Sequence, residues 1–312
     1  MRNQVVTVFG GSGFLGRYVV RRLAAEGARV RVVCRRPQLA MHLKPMGEVG
    51  QITLEGADLA GGATVEPLVD GSASVVNLIG ILSEWGQQKF DVVQAEVPKR
   101  IATAAKAAGV ERMVQMSAIG ADAASQANYA RTKAEGEAAV RAAFPEATIL
   151  RPSVVFGAED DFFNRFGKMA QFSPFLPLID GGQTRFQPVY VDDVAQAVVT
   201  VLTTPGHAGQ TYELGGPDVY TFRELLAYLL KVLNRKRMLL SLPSSVARIQ
   251  ARFLEWLPSP PLTRDQIELL KHDNVVAPGA LTLADLGIKP TPLEVVVPDY
   301  VERYARHATR RV

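Results

Sequence analysis

Val5-Val6-Thr7-Val8-Phe9-Gly10-Gly11-Ser12-Gly13-Phe14-Leu15-Gly16 is the stretch whose reading decides the fold. A short apolar run ends on glycines, and Leu15 to Glu26 then carries apolar residues at helical spacing. Glycine spacing is informative only in this setting, after a strand and at the opening of a helix. Without Cβ atoms at Gly10, Gly13 and Gly16, the backbone can turn tightly and come close to an anion. Free N–H groups at the positive end of the helix then meet the negative charge. The turn reads as a pyrophosphate cradle, with Ser12, Phe14 and Leu15 as further contacts; the alternative is a tight strand-to-helix turn with no ligand.

The same rhythm continues outward. Val30–Val33, Ile52–Leu54, Val75–Leu78, Met113–Met116 and Thr148–Leu150 read as buried strands, with Val92–Ala108 and Tyr129–Phe144 as helices. Alternating β and α elements imply an α/β fold, a Rossmann-type doubly wound parallel sheet. From Pro152 the chain becomes loop-rich, with Phe162, Phe163, Phe166, Phe172, Pro174 and Pro177 before Phe186, as at the start of a second lobe. A strand over Pro188–Val191 and a helix over Asp192–Leu202, capped by Asp192 or Asp193, then return to the first domain. The expected division is 1–152 with 187–213 for the nucleotide-binding domain, and 153–186 with 214–312 for a smaller, discontinuous C-terminal lobe. In that lobe Thr221 and Glu224 are spaced as a capping box, and Pro258, Pro260 and Pro261 break the chain between helices.

Composition bounds the function. The 312 residues can bury a sizeable core, and 47% apolar with 21% charged residues is ordinary for a globular chain. Cys34 is the only cysteine, which excludes an internal disulfide and a cysteine-rich zinc site. His42, His207, His272 and His307 lack ligand spacing, so no metal is expected. The net charge of +4 is dispersed except at Arg35, Arg36 and the tail Arg303, Arg306, Arg310 and Arg311. It permits an anionic partner without identifying one, and no basic stripe interleaved with aromatics points to nucleic acid. No run approaches the ~20 apolar residues of a membrane-spanning helix. The chain opens on a strand with neither a signal-peptide core nor an Arg-rich transit segment, which suggests a protein that stays in the cytosol.

Candidate chemistry lies at the strand ends. The second strand runs into Arg35 and Arg36, where an NAD-binding domain commonly places an acid to grip the ribose 2′-hydroxyl. A planar guanidinium fork suits a 2′-phosphate instead, so NADP(H) is favoured over NAD(H); the alternative is two solvated arginines. Asp58 and Leu59 follow the third strand, where a carboxylate could accept from the adenine amino group or simply form a turn. Leu78 and Gly80 end the fourth strand, where Gly80 would let the backbone pass close to the cofactor. Ser117 ends the fifth strand, and Tyr129 and Lys133, four apart, share one helix face. An ammonium beside a phenol favours phenolate, so this trio could pass a proton during hydride transfer, with Ser117 holding the substrate oxygen. Cofactor contact is the other role open to them.

With Gly10, Gly13, Gly16, Tyr129, Lys133 and Arg151-Pro152-Ser153, the chain resembles the short-chain dehydrogenase superfamily in its extended or atypical form. More narrowly, residues 7–19, 41–47, 143–147 and 187–191, with 262–265, 285–288 and 291–294, resemble the alpha-subcomplex subunit nine family of complex I (NADH:ubiquinone oxidoreductase). The resemblance implies Pro152 and Ser153 as cofactor contacts. It also implies docking against peripheral-arm subunits near the membrane, with a firmly bound NADPH that is structural rather than a carrier of electrons. The side implied is cytoplasmic in a bacterium, or the mitochondrial matrix for a processed chain. Val246, Ile249, Phe253, Trp256 and Leu257, with Arg248 and Arg252 between them, fit an interfacial helix over 246–258, or a helix packed on its own lobe. A stand-alone NADP(H)-dependent reductase, dehydrogenase or epimerase is the rival function, and an NADPH-governed redox sensor is a third.

Overall fold

The computed structural model describes residues 1–256, 260 and 262–305. Leu257, Pro258, Pro261, Arg306, His307, Arg310 and Arg311, on which parts of the sequence reading rest, lie outside the described residues. The chain divides into two compact units, Met1–Pro152 with Val191–Leu214 and Val276–Lys289, and Ser153–Tyr190 with Gly215–Val275 and Pro290–Val312.

The first unit is built on β1 (Val5–Phe9), β2 (Arg29–Cys34), β3 (Ile52–Gly56), β4 (Ser74–Asn77), β5 (Arg112–Met116), β6 (Thr148–Pro152) and a seventh strand, Thr211–Leu214. Their order across the sheet is Thr211–Leu214, β6, β5, β4, β1, β2, β3, and every pairing is parallel. Parallel strands lie between covering helices, which is why Val6, Val8, Val75, Val76, Ile149 and Leu150 are fully buried. The seventh strand is four residues long, too short to show a period, and the sequence reading did not identify it.

The helix α1 (Phe14–Ala25) packs against the helix Val191–Thr203. That helix starts at Val191, so Asp192 and Asp193 lie in its first turn rather than at its cap, which corrects the capping role read from sequence. Asp192 instead receives Arg22 through two hydrogen bonds of 2.8 and 2.7 Å, and Arg21 at 3.1 Å, joining the two helices. The strand expected over Pro188–Val191 is the pair Val189–Tyr190, which bonds to Val155–Phe156 inside the second unit. The segment Val276–Lys289, expected in the lobe, belongs to the first unit: Leu281 bridges Tyr212, and Leu283 and Leu286 are buried.

The helix expected over Val92–Ala108 is two pieces, a π turn over Asp91–Glu96 followed by an α-helix over Val97–Ala107. Pro98 explains the break: it has no N–H to give to the Gln94 carbonyl four residues earlier. Gly136 of the helix Asn128–Ala143 approaches that carbonyl so closely that a Cβ would stand 1.9 Å from it.

In the second unit, Phe156, Phe163, Leu176, Leu178 and Leu225 form an aromatic and aliphatic core. Thr221 and Glu224 make the capping box, with Glu224 N donating to Thr221 Oγ1 at 3.1 Å and Thr221 N donating to Glu224 Oε2 at 2.7 Å. Phe175–Ile179, in the stretch that reads as loop-rich, pairs in parallel with Met238–Leu242, in the part of the lobe expected to be helical. Among the described residues no helix is long and apolar enough to cross a membrane, and no group of three or more His, Cys, Asp or Glu could hold a metal ion.

An exposed helical glycine replaced by alanine gains about 1 kcal/mol. Gly136→Ala should do the opposite and cost about 1–3 kcal/mol, because the π turn must move. A lower urea midpoint with unchanged slope confirms this; a raised midpoint contradicts it.

Candidate functional site

A cleft of about 300 Å³ opens at the carboxyl ends of β1, β2, β3 and β4. This is where the strand order reverses, because β1 has β2 on one side and β4 on the other. Open α/β sheets bind ligands at such a switch point. Gly10, Ser12, Gly13, Phe14, Leu15 and Gly16 form one wall; Arg35, Asp58 and Leu59 form the β2 and β3 side; Leu78 and Gly80 close the β4 end.

The glycines are needed for distinct reasons. Gly10 has φ +77°, and a Cβ there would come within 3.2 Å of the Ile79 nitrogen. Its N–H donates to Val33 O at 3.0 Å, and its carbonyl accepts from Gly13 N at 3.1 Å. At Gly16 a Cβ would lie 2.5 Å from the Gly11 carbonyl, so α1 can start against the turn only because residue 16 has no side chain. Gly13 is exposed and precedes α1, whose first turn has no acidic residue and no side-chain cap. An anion placed there meets open backbone and the positive end of the helix dipole.

Behind the β4 end lies a buried polar layer that the sequence reading missed. Asn77 donates to Gln115 Oε1 at 2.9 Å and accepts from Ile79 N at 3.1 Å, which fixes the Leu78-Ile79-Gly80 turn. Gln94 donates to Ile81 O at 2.9 Å, tying the π turn to the same wall. Cys34, Ile79, Ile81, Gln88, Val93 and Val97 also line the cleft. Only the apolar face of the helical stretch carried any hint of Val93 and Val97.

Of the Ser117, Tyr129 and Lys133 trio, Lys133 stands beside Gly80, and none of the three is among the residues that line the cleft. Lys133 is buried, donates to Met116 O at 3.4 Å, and would meet a Cβ on Gly80 at 3.3 Å. Burial lowers its pKa to about 8, against the opposing pull of Glu137. Its Nζ is 5.9 Å from the centre of the half-buried Tyr129 ring, and that ring meets Phe90 edge-on at 6.0 Å. Ser117 Oγ is buried and has no hydrogen-bond partner among the described residues. An open backbone cradle at the start of α1 and a cleft of ligand size together suit a dinucleotide.

The remaining candidates are placed differently. Arg36 is exposed and precedes the turn Pro37–Leu39, and it does not line the cleft. Pro152 ends β6, where its carbonyl accepts from Ile119 N at 3.0 Å. Ser153 begins the second unit, and its hydroxyl donates to Asn274 Oδ1 at 2.6 Å.

Comparison with known proteins agrees with this geometry. The sequence model of the NAD dependent epimerase/dehydratase family matches residues 6–215. NADH dehydrogenase [ubiquinone] 1 alpha subcomplex subunit 9, mitochondrial, of Arabidopsis thaliana is 37% identical over 97% of this chain and 78% of its own length. Ceramide reductase of Caulobacter vibrioides is 32% identical over 77% of this chain and 74% of its own. Among solved structures, the dTDP-glucose 4,6-dehydratase DesIV of Streptomyces venezuelae, determined with NAD bound, superposes with a TM-score of 0.73. It is 20% identical, over 96% of each chain. The chain therefore belongs to the NAD dependent epimerase/dehydratase family, and within it to the group of the alpha subcomplex subunit 9 proteins of NADH dehydrogenase.

Proposed function

We propose that this chain is an accessory subunit of respiratory complex I that holds NADP(H) as a structural ligand. The observation that carries the reading is a glycine-built cleft with Arg35 on its β2 side, in a chain 37% identical along nearly its whole length to a complex I subunit. Gly10, Gly13 and Gly16 would carry the pyrophosphate. Arg35 would pair with a 2′-phosphate, and Arg36 would add to the local positive potential. Asp58 is the one acidic residue among those lining the cleft, and it lies on the β3 side rather than at the end of β2. Tyr129 and Lys133 would hold ribose hydroxyls at the Gly80 end. A bound nicotinamide would supply hydride chemistry there. The buried Ser117 hydroxyl and the ceramide reductase relative favour a second reading, an NADP(H)-dependent reductase in which Tyr129 moves the proton.

The partners that follow are peripheral-arm subunits, at the cytoplasmic face of a bacterial inner membrane or the matrix face of a mitochondrial one. A membrane-surface contact through residues 246–256 is supported by the helix Ser244–Leu254. Its small side buries Ala247 and Ala251, while Val246, Ile249 and Phe253 stay exposed within about 60° of arc, followed by exposed Trp256. Residues 225–254 include six Lys and Arg and no Asp or Glu, which suits an anionic headgroup layer.

Capture of the native chain from membranes should recover complex I subunits together with NADP(H). Recovery of the chain alone, with turnover that Tyr129→Phe abolishes, would instead establish the reductase. Arg35→Asp should weaken NADPH about tenfold to a hundredfold and NADH little; equal losses contradict the assignment. Ile249→Asp combined with Phe253→Asp should shift the chain from the membrane fraction to the supernatant, and unchanged recovery contradicts surface docking.

A further inference from the structure

Lys133 is a cation directly behind Gly80, a residue of the cleft wall, and its surroundings make that charge conditional. From β5 it meets the Met116 carbonyl and from the turn after β4 the Gly80 backbone; its own helix contributes Tyr129 and Glu137. The π turn packed on that helix brings Gln94, which is uncharged. Glu137 is the one carboxylate that acts on Lys133, yet no ion pair within 4 Å joins them among the described residues.

The reason lies on β6. Arg151 Nε donates to Glu137 Oε1 at 2.9 Å and Nη2 donates to Oε2 at 2.6 Å, so both carboxylate oxygens are engaged and the carboxylate is oriented towards Arg151. Arg151 is held from its far side by Glu213 Oε1 at 3.5 Å, and Glu213 Oε2 accepts from Ala277 N at 2.8 Å. Residues four apart on a helix share a face, so Lys133 and Arg151 compete for one carboxylate. A rigid fork making two parallel charge-assisted bonds wins against a single ammonium.

We propose that Arg151 is a positioning residue of the nucleotide cleft: by chelating both oxygens of Glu137 it keeps that carboxylate off Lys133 and leaves the ammonium without a counter-ion. Glu213 and Ala277 hold Arg151 in that role. The consequence for nucleotide affinity rests on the NADP(H) reading, but the competition for Glu137 does not. A buried ammonium without a close counter-ion loses its proton early as pH rises, in line with the value of about 8 set by burial. Below that pH Lys133 can donate to ribose or phosphate oxygens as a charged group; above it the donor is neutral and weaker.

The test follows Lys133 itself. Its acylation by a small reagent is measured by peptide mass spectrometry across roughly pH 6.5 to 10 in the nucleotide-free full chain, and the reactive fraction reports the unprotonated amine. Arg151→Met releases Glu137 to Lys133, and the midpoint should rise by about one pH unit. Glu137→Gln removes the carboxylate that acts on Lys133, and the midpoint should fall. Arg151→Lys, which keeps the charge but cannot chelate both oxygens, should give a smaller rise and covers the case in which Arg151→Met fails to fold. Midpoints that stay fixed, or that move in the same direction in the Arg151 and Glu137 variants, would overturn the proposal. NADPH titration of the same samples separates the two ideas. Wild-type affinity should weaken about tenfold as pH crosses the midpoint, in step with each variant's shift. Opposed Lys133 shifts in a chain that binds no NADPH would refute the cofactor reading and leave the role of Arg151 standing.

Discussion

The contact between Gly16 and the Gly11 backbone governs the rest of the first unit. With 2.5 Å available where a Cβ would sit, α1 can begin directly against the end of β1 only if residue 16 is glycine. Once α1 starts there, Gly10 is bonded to Val33 on β2, and Phe9 accepts from Leu78 beyond β4. One strand end thereby fixes both neighbours at the point where the sheet reverses order. The cleft follows from that arrangement, and most of the residues that line it follow four separate strand ends.

Close backbone approach is used again behind the cleft. Pro98 frees the Gln94 carbonyl, Gly136 lets a second helix pack against it, and the Gln94 side chain fastens the Ile81 carbonyl. Thr132, beside Lys133, donates to Asn128 O at 2.8 Å and lies 3.4 Å from Gln94 Oε1. A layer of neutral buried amides, Asn77, Gln94 and Gln115, thus supports the cleft without adding charge. The charge comes from Arg35 at one side and Lys133 behind Gly80, an arrangement that suits a polyanionic ligand.

Much of this is legible in the sequence itself. The glycine turn, the first six strands and the Tyr129 and Lys133 spacing are local signals, written in period and composition. What was not legible depends on partners distant in sequence. The strand Thr211–Leu214 is defined by its pairing with β6, and Phe175–Ile179 and Met238–Leu242 pair across the 58 residues between them. Asp192 read as a cap because caps are local, whereas its role is an ion pair with Arg21 and Arg22, about 170 residues away. The helix Ser244–Leu254 shows the same limit. Its apolar spacing was visible, but only the structure shows that the alanines, not the large residues, face inward.

A structural ligand must add to the stability of the fold, and the amount expected is large. Free NADPH at a hundred times its Kd contributes about 2.7 kcal/mol, set against a typical total of roughly 5 to 15 kcal/mol. The most direct measurement is therefore the unfolding free energy of the purified chain as free NADPH is raised, with NADH in parallel. The account predicts a logarithmic rise with NADPH at concentrations where NADH produces little. An unfolding free energy that ignores NADPH, or that rises equally with NADH, would contradict it.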